Sequence, residues 1–178
     1  MGRWSSWLGL RTSLKEEEEI GFYSVVNSIK GAELKLFKSH KKIEELKKVL
    51  AEVDKLFMTN KAGHFHFTNE IRWNKKEVEE TRDGIDLDTL DLTPTELAGL
   101  IVSKNWNVTK HIKNWKLGNE FGNLTRKAID SASALGMITM PKSSKNLYFE
   151  GGRAIQKLWL EATSKGIAFQ PISINTFL

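Results

Sequence analysis

An α+β fold, with helices packed on a small mixed sheet, is what this sequence predicts, and three local patterns predict it. Glu33-Leu34-Lys35-Leu36 alternates polar with apolar before Phe37, the period of a half-buried strand. Ile43, Leu46, Val49, Leu50, Val53, Leu56 and Phe57 recur at the 3.6-residue period of an amphipathic helix. Thr93-Pro94-Thr95-Glu96 combines an N-cap, a proline at the first helical position and a glutamate placed to close a capping box. The whole chain then reads strand, helix, helices, strand, helix, strand, the order of a layered α+β domain.

Residues 1–30 form a segment whose structure no pattern fixes, and residues 31–178 form one domain. Within the first segment, Lys15-Glu16-Glu17-Glu18-Glu19 reads as a solvated helix start or a tail. Ser39 can cap the long helix that follows the first strand. His64 and His66 stand two apart, so they share a face only on a strand. Aromatic-rich packing with one ring at the surface is their expected role. No third histidine is near and no H-E-x-x-H pattern occurs, so no metal is expected there. Residues 77–87 read as a helix end and a turn at Asp83-Gly84. Leu97, Leu100 and Ile101 supply the buried side of the helix that Thr93 opens.

The stretch from Asn105 to Leu124 holds Trp106, Trp115 and Phe121. It is either an irregular excursion over a ligand or partner, or a tryptophan-anchored helix and loop. The second accords with the usual burial of such rings. Ala134 to Met140 reads as a buried strand stopped by Pro141, followed by a polar loop. Gly151-Gly152 then enter a helix whose stripe is Ala154, Ile155, Leu158, Trp159 and Ala162. Leu160 widens that stripe until the helix is nearly buried. Gly166 stands where a left-handed residue would end it, and Ile167 to Ile172 gives a short last strand.

Composition excludes several function classes. Hydrophobic residues are 40% and charged residues 28% of the chain, the balance of a soluble globular protein. No apolar run reaches the roughly 18–20 residues of a membrane span, and the N-terminus lacks a leader pattern, so a cytoplasmic location is expected. The absence of cysteine excludes disulfides, thiolate nucleophiles and cysteine-ligated metals. The net charge of +5 comes from basic residues interleaved with glutamate. Lys41, Lys42, Lys47 and Lys48 alternate with Glu44, Glu45 and Glu52 as on a solvated helix face, which argues against a nucleic-acid partner. The Trp/Lys-rich residues 104–116 keep a weaker stacking alternative open.

No glycine-rich phosphate loop, nucleophile elbow or ordered Ser, His and Asp set is present, and no catalytic side chain is identified. The residues that carry chemical information lie at the end of the chain: Gly151-Gly152-Arg153-Ala154-Ile155 running on to Thr163, then Gly166 and Pro171-Ile172-Ser173-Ile174. Together they resemble the nitroreductase family of flavin enzymes. Glu70-Ile71-Arg72-Trp73, residues 81–87 and Gly136-Met137-Ile138-Thr139 look like a divergent branch of that family, often joined to an adenylyltransferase domain of the ubiquitin-activating type.

The resemblance covers residues 31–178 and implies FMN, bound at a dimer interface and reduced by NAD(P)H for a small-molecule acceptor. It implies that Gly152 and Arg153 open the helix beneath the flavin. It further implies that Pro171, Ile172, Ser173 and Ile174 form the turn against the ring edge, where the amides of Ser173 or Ile174 donate toward N5. A fixed amide donor would stabilise a reduced ring electrostatically. The family's phosphate-clamping arginines have no matching cluster: the N-terminal region offers Arg3 and Arg11, and the sequence ends at Phe177-Leu178. A partial nitroreductase-like unit follows from this, completed by a homodimer or a partner chain. A non-catalytic flavin-storage or partner-binding module of the same fold is the alternative.

Overall fold

The computed structural model describes residues 13–90, 92–114 and 118–172. Its contacts divide into two compact units, one built from residues up to 48 together with those from 126, the other from residues 49–125. The chain is mostly helical with little sheet, consistent with the α+β class. None of the helices among the described residues is long and apolar enough to cross a membrane.

The first unit is assembled around helix α1 (Glu16–Asn27), strand β1 (Glu33–Phe37), strand β4 (Leu135–Thr139) and helix α8 (Lys145–Ser164). The acidic run starts α1: the Glu18 carboxylate accepts from the Lys15 amide at 2.7 Å, and four glutamates lie at the positive end of the helix dipole. β1 pairs antiparallel with β4, Leu34 opposite Ile138 and Leu36 opposite Gly136. One face of this ribbon meets the core, where Leu34 is buried with Phe22, Val26 and Ile29 against Ala154, Leu158 and Ala162 of α8.

The expected buried strand at 134–140 is therefore only half right. β4 is a strand, but Met137 on it is 46% exposed, because a two-stranded ribbon with helices on one side leaves its other face to solvent. The segment Ile167–Ile172, expected as a strand, is irregular backbone with no strand partner among the described residues; Ile167 and Phe169 pack onto the core instead.

Helix α2 (His40–Thr59) begins where Ser39 accepts from the Lys42 amide at 3.4 Å, as the sequence indicates. In the second unit it is followed by α3 (Lys61–Glu70), β2 (Ile71–Arg72), α4 (Lys75–Thr81), β3 (Ile85–Asp86), α5 (Pro94–Ser103) and α6 (Trp106–Asn114). Helix α7 (Asn123–Ser131) leads out of this unit. The two histidines lie on α3 rather than on a strand. The Asn60 side chain accepts from the Ala62 and Gly63 amides, and that cap outweighs the β-like alternation of His64 to Phe67. A side chain at Gly63 would collide with the Phe57 carbonyl, so glycine is what lets α2 turn sharply into α3. One ring, that of His66, is exposed and the other is buried, as expected.

β2 and β3 form a separate parallel pair, so parallel and antiparallel pairing occur in two ribbons and not in one mixed sheet. Arg72 fastens the turn after α4. Its Nε and Nη2 donate to the Asp83 Oδ1 at 3.1 and 2.6 Å, and Nη1 donates to the Asn69 carbonyl. That guanidinium, helped by the Thr81 hydroxyl, holds the Asp83 carboxyl below the usual carboxylate range. The capping box at Thr93 forms as read, Glu96 accepting from the Thr93 amide at 2.9 Å. Ile101, expected on the buried side of α5, is 52% exposed.

Candidate functional site

Helix α8 opens earlier than the glycine pair suggests. Ser144 is its N-cap, its hydroxyl accepting from the Leu147 amide at 3.3 Å. Gly151 and Gly152 are therefore interior residues of the helix and do not enter it. Each costs about 1 kcal/mol against alanine there. The length of the helix and the burial of Ala154, Leu158 and Ala162 against α1 offset that cost. Those three sit at i, i+4 and i+8, a stripe narrow enough for small residues to let α1 approach closely. The helix stops as read: Gly166 has φ +71°, in the left-handed region.

The predicted stripe divides in two. Ala154, Leu158 and Ala162 are buried, but Ile155, Trp159 and Leu160 are not. Tyr148, Gly152, Ile155 and Trp159 follow one another at i, i+4, i+7 and i+11, so they form a second stripe beside the buried one. Tyr148 is 68% and Trp159 44% exposed, and Phe149 and Leu160 stand open beyond them. A Cβ built on Gly152 would meet nothing within 4 Å, whereas one on Gly151 would touch Met140. The stripe thus has a gap at Gly152, where helix backbone lies open to solvent between Tyr148 and Ile155.

The other expected site residues lie around this helix. Arg153 is half exposed, and its Nη1 donates to both oxygens of Glu150 at 2.9 and 3.0 Å. Pro171 is exposed and Ile172 half-buried, on the irregular segment that follows the helix. That segment returns to α8 at least as far as Phe169, whose ring lies 5.6 Å from that of Trp159. Ser173 and Ile174 fall outside the described residues, as do Arg3, Arg11 and Trp115. Tyr148 and Phe149 escaped the sequence reading, which began the helix at the glycines. The N-cap at Ser144 was the signal that would have included them.

The second unit holds a different polar cluster. His64 is fully buried, its Nε2 2.7 Å from the Ser103 carbonyl, and its Nδ1 has no hydrogen-bond partner among the described residues. The rings of Trp106 and Phe65 flank it at 5.2 and 5.8 Å. His64 and His66 project to different sides of α3, and no group of three potential metal ligands occurs among the described residues.

Comparison with known proteins adds one relative. The chain is 27% identical over 143 residues to the Mycobacterium tuberculosis protein named Uncharacterized protein MT1398, a match covering 80% of this chain and 20% of that protein. The chain therefore spans about a fifth of the length of the curated relative it matches. No family model matches it. No solved structure matches it either.

Proposed function

We propose that this chain is the flavin-facing part of an FMN-dependent oxidoreductase of nitroreductase type, serving electron transfer from NAD(P)H to a small-molecule acceptor. One observation carries the reading: the outer stripe of α8 is apolar, aromatic and open, with its gap at the residue the family resemblance places under the flavin. An exposed apolar surface of this kind marks a binding face. FMN, when bound, would supply the redox chemistry. The work of this chain is to seat the flat ring on the backbone at Gly152, to bound it with Tyr148, Ile155 and Trp159, and to keep water from that side.

The apolar half of such a site fits, and the phosphate half is not found on this helix. A phosphate dianion calls for bidentate guanidinium contacts. Arg153, the arginine nearest the gap in sequence, already donates to Glu150. This supports a site completed by a second copy or a partner chain. The same observation favours the second reading, a non-catalytic flavin-storage or partner-binding module.

Titration of the full chain with FMN, followed by quenching of flavin fluorescence at low and moderate salt, tests both. Saturable binding with FMN-dependent NAD(P)H oxidation is the expected result. Saturable binding without oxidation transfers the assignment to flavin storage. A folded protein that binds no FMN overturns the flavin reading and leaves α8 as a partner-binding face.

A further inference from the structure

The C-terminal end of α5 is tied down in an unusual way. Ser103 is the last residue of the helix, and its carbonyl belongs to the set that no intrahelical donor can reach. Two side chains from elsewhere converge on that one oxygen: His64 Nε2 of α3 at 2.7 Å and the Thr109 hydroxyl of α6 at 2.7 Å. Both side chains are fully buried, and Ser103 is 3% exposed. Because a carbonyl only accepts, Nε2 carries the ring proton, and Nδ1 faces no donor among the described residues.

Among the described residues, no other element packs on α5 as much as α6 does. Ala98, Gly99, Ile101 and Val102 on the outer side of α5 are exposed. The corner between α5 and α6 is short, running through Lys104, whose ammonium lies 4.5 Å over the Trp73 ring, and Asn105, whose side chain accepts from the Asn107 amide. Elements with few buried apolar contacts open at low free energy.

We propose that the Ser103 carbonyl, gripped by His64 and Thr109, is a latch, and that the α5–α6 corner opens as one unit when it lets go. Opening uncovers the His64 imidazole and the Trp106 ring, so anything that binds those groups selects the open form. The device is independent of the flavin reading, since it involves no residue of α8.

Amide hydrogen exchange of the full chain, resolved by segment, tests it. In the unaltered protein the amides of α5 and α6 should exchange as a group, faster than those of α3. Thr109→Val should speed that group by about tenfold, with α8 amides unmoved. His64→Leu should act similarly, and His64→Gln, which keeps a donor of comparable reach, should recover much of the protection. The double variant Thr109→Val with His64→Leu should exceed the product of the single effects, because only then does the buried carbonyl lose both donors. Exchange of α3, α5 and α6 at one common rate in every variant overturns the separate opening. Single effects that simply multiply overturn the shared latch.

Discussion

Gly152 offers a way to separate the fold from the site. It lies inside α8 with nothing within 4 Å of the position a Cβ would take, so an alanine methyl there meets no neighbour. Glycine in an exposed helix interior loses about 0.5–1 kcal/mol relative to alanine through backbone entropy. No packing term opposes the exchange, so Gly152→Ala should stabilise the chain by about that amount. For a chain of this size that corresponds to a rise in Tm of about 1–4 °C, read by far-UV circular dichroism. Gly152→Leu should keep at least the native stability, since leucine is also a good helix former.

Flavin affinity should respond in the opposite sense. A branched side chain in the gap between Tyr148, Ile155 and Trp159 removes the backbone surface on which a flat ring would lie. FMN titration of Gly152→Leu should show a loss of at least about tenfold, or about 1.4 kcal/mol. Two results refute the reasoning. A fall in Tm for Gly152→Ala would mean that residue 152 is not open. A folded Gly152→Leu with unchanged FMN affinity would take the ring away from this helix.

Two further expectations concern the fold. Leu158→Ala, in the core between α1 and α8, should cost about 2–5 kcal/mol, whereas Leu160→Ala, two residues on and 63% exposed, should stay within about 0.5 kcal/mol; chemical denaturation of the two variants checks the rotational setting of α8. The Arg72–Asp83 contact predicts an acid-sensitive term: the folded carboxyl holds its charge below the usual range, so its stabilisation is complete above about pH 4 and is lost as the pH falls through the lower folded value. Comparison of the native chain with Asp83→Asn across this range should show a stability difference that closes toward the acid limit, and a constant difference would contradict the assignment.

What could be read in the sequence was what short-range chemistry decides. The Thr93 capping box, the Ser39 cap, the β1 alternation and the glycine stop at Gly166 all depend on residues within a turn of one another, and all formed as expected. The misreadings came where the outcome depended on what lies opposite. The α8 stripe has the composition of a buried helix, but packing on one side covers Ala154, Leu158 and Ala162 and leaves Ile155 and Trp159 outside. Ile167 to Ile172 has strand composition and, among the described residues, no strand to pair with. Gly152 could be found from sequence, while the emptiness around it could not.

The pairing of β1 with β4 also sets an order of events. Phe37 lies opposite Leu135, so the first unit is written in two pieces with the second unit inserted between them. Closing a flexible loop of that length costs about 4 kcal/mol of chain entropy before the ribbon returns anything. A ribosome delivers residues 49–125 well before β4 and α8, so the inserted unit is complete in sequence while the first still lacks half its core. Until α8 emerges, α1 and β1 have no core to join, and their apolar faces are the part of the nascent chain most in need of protection.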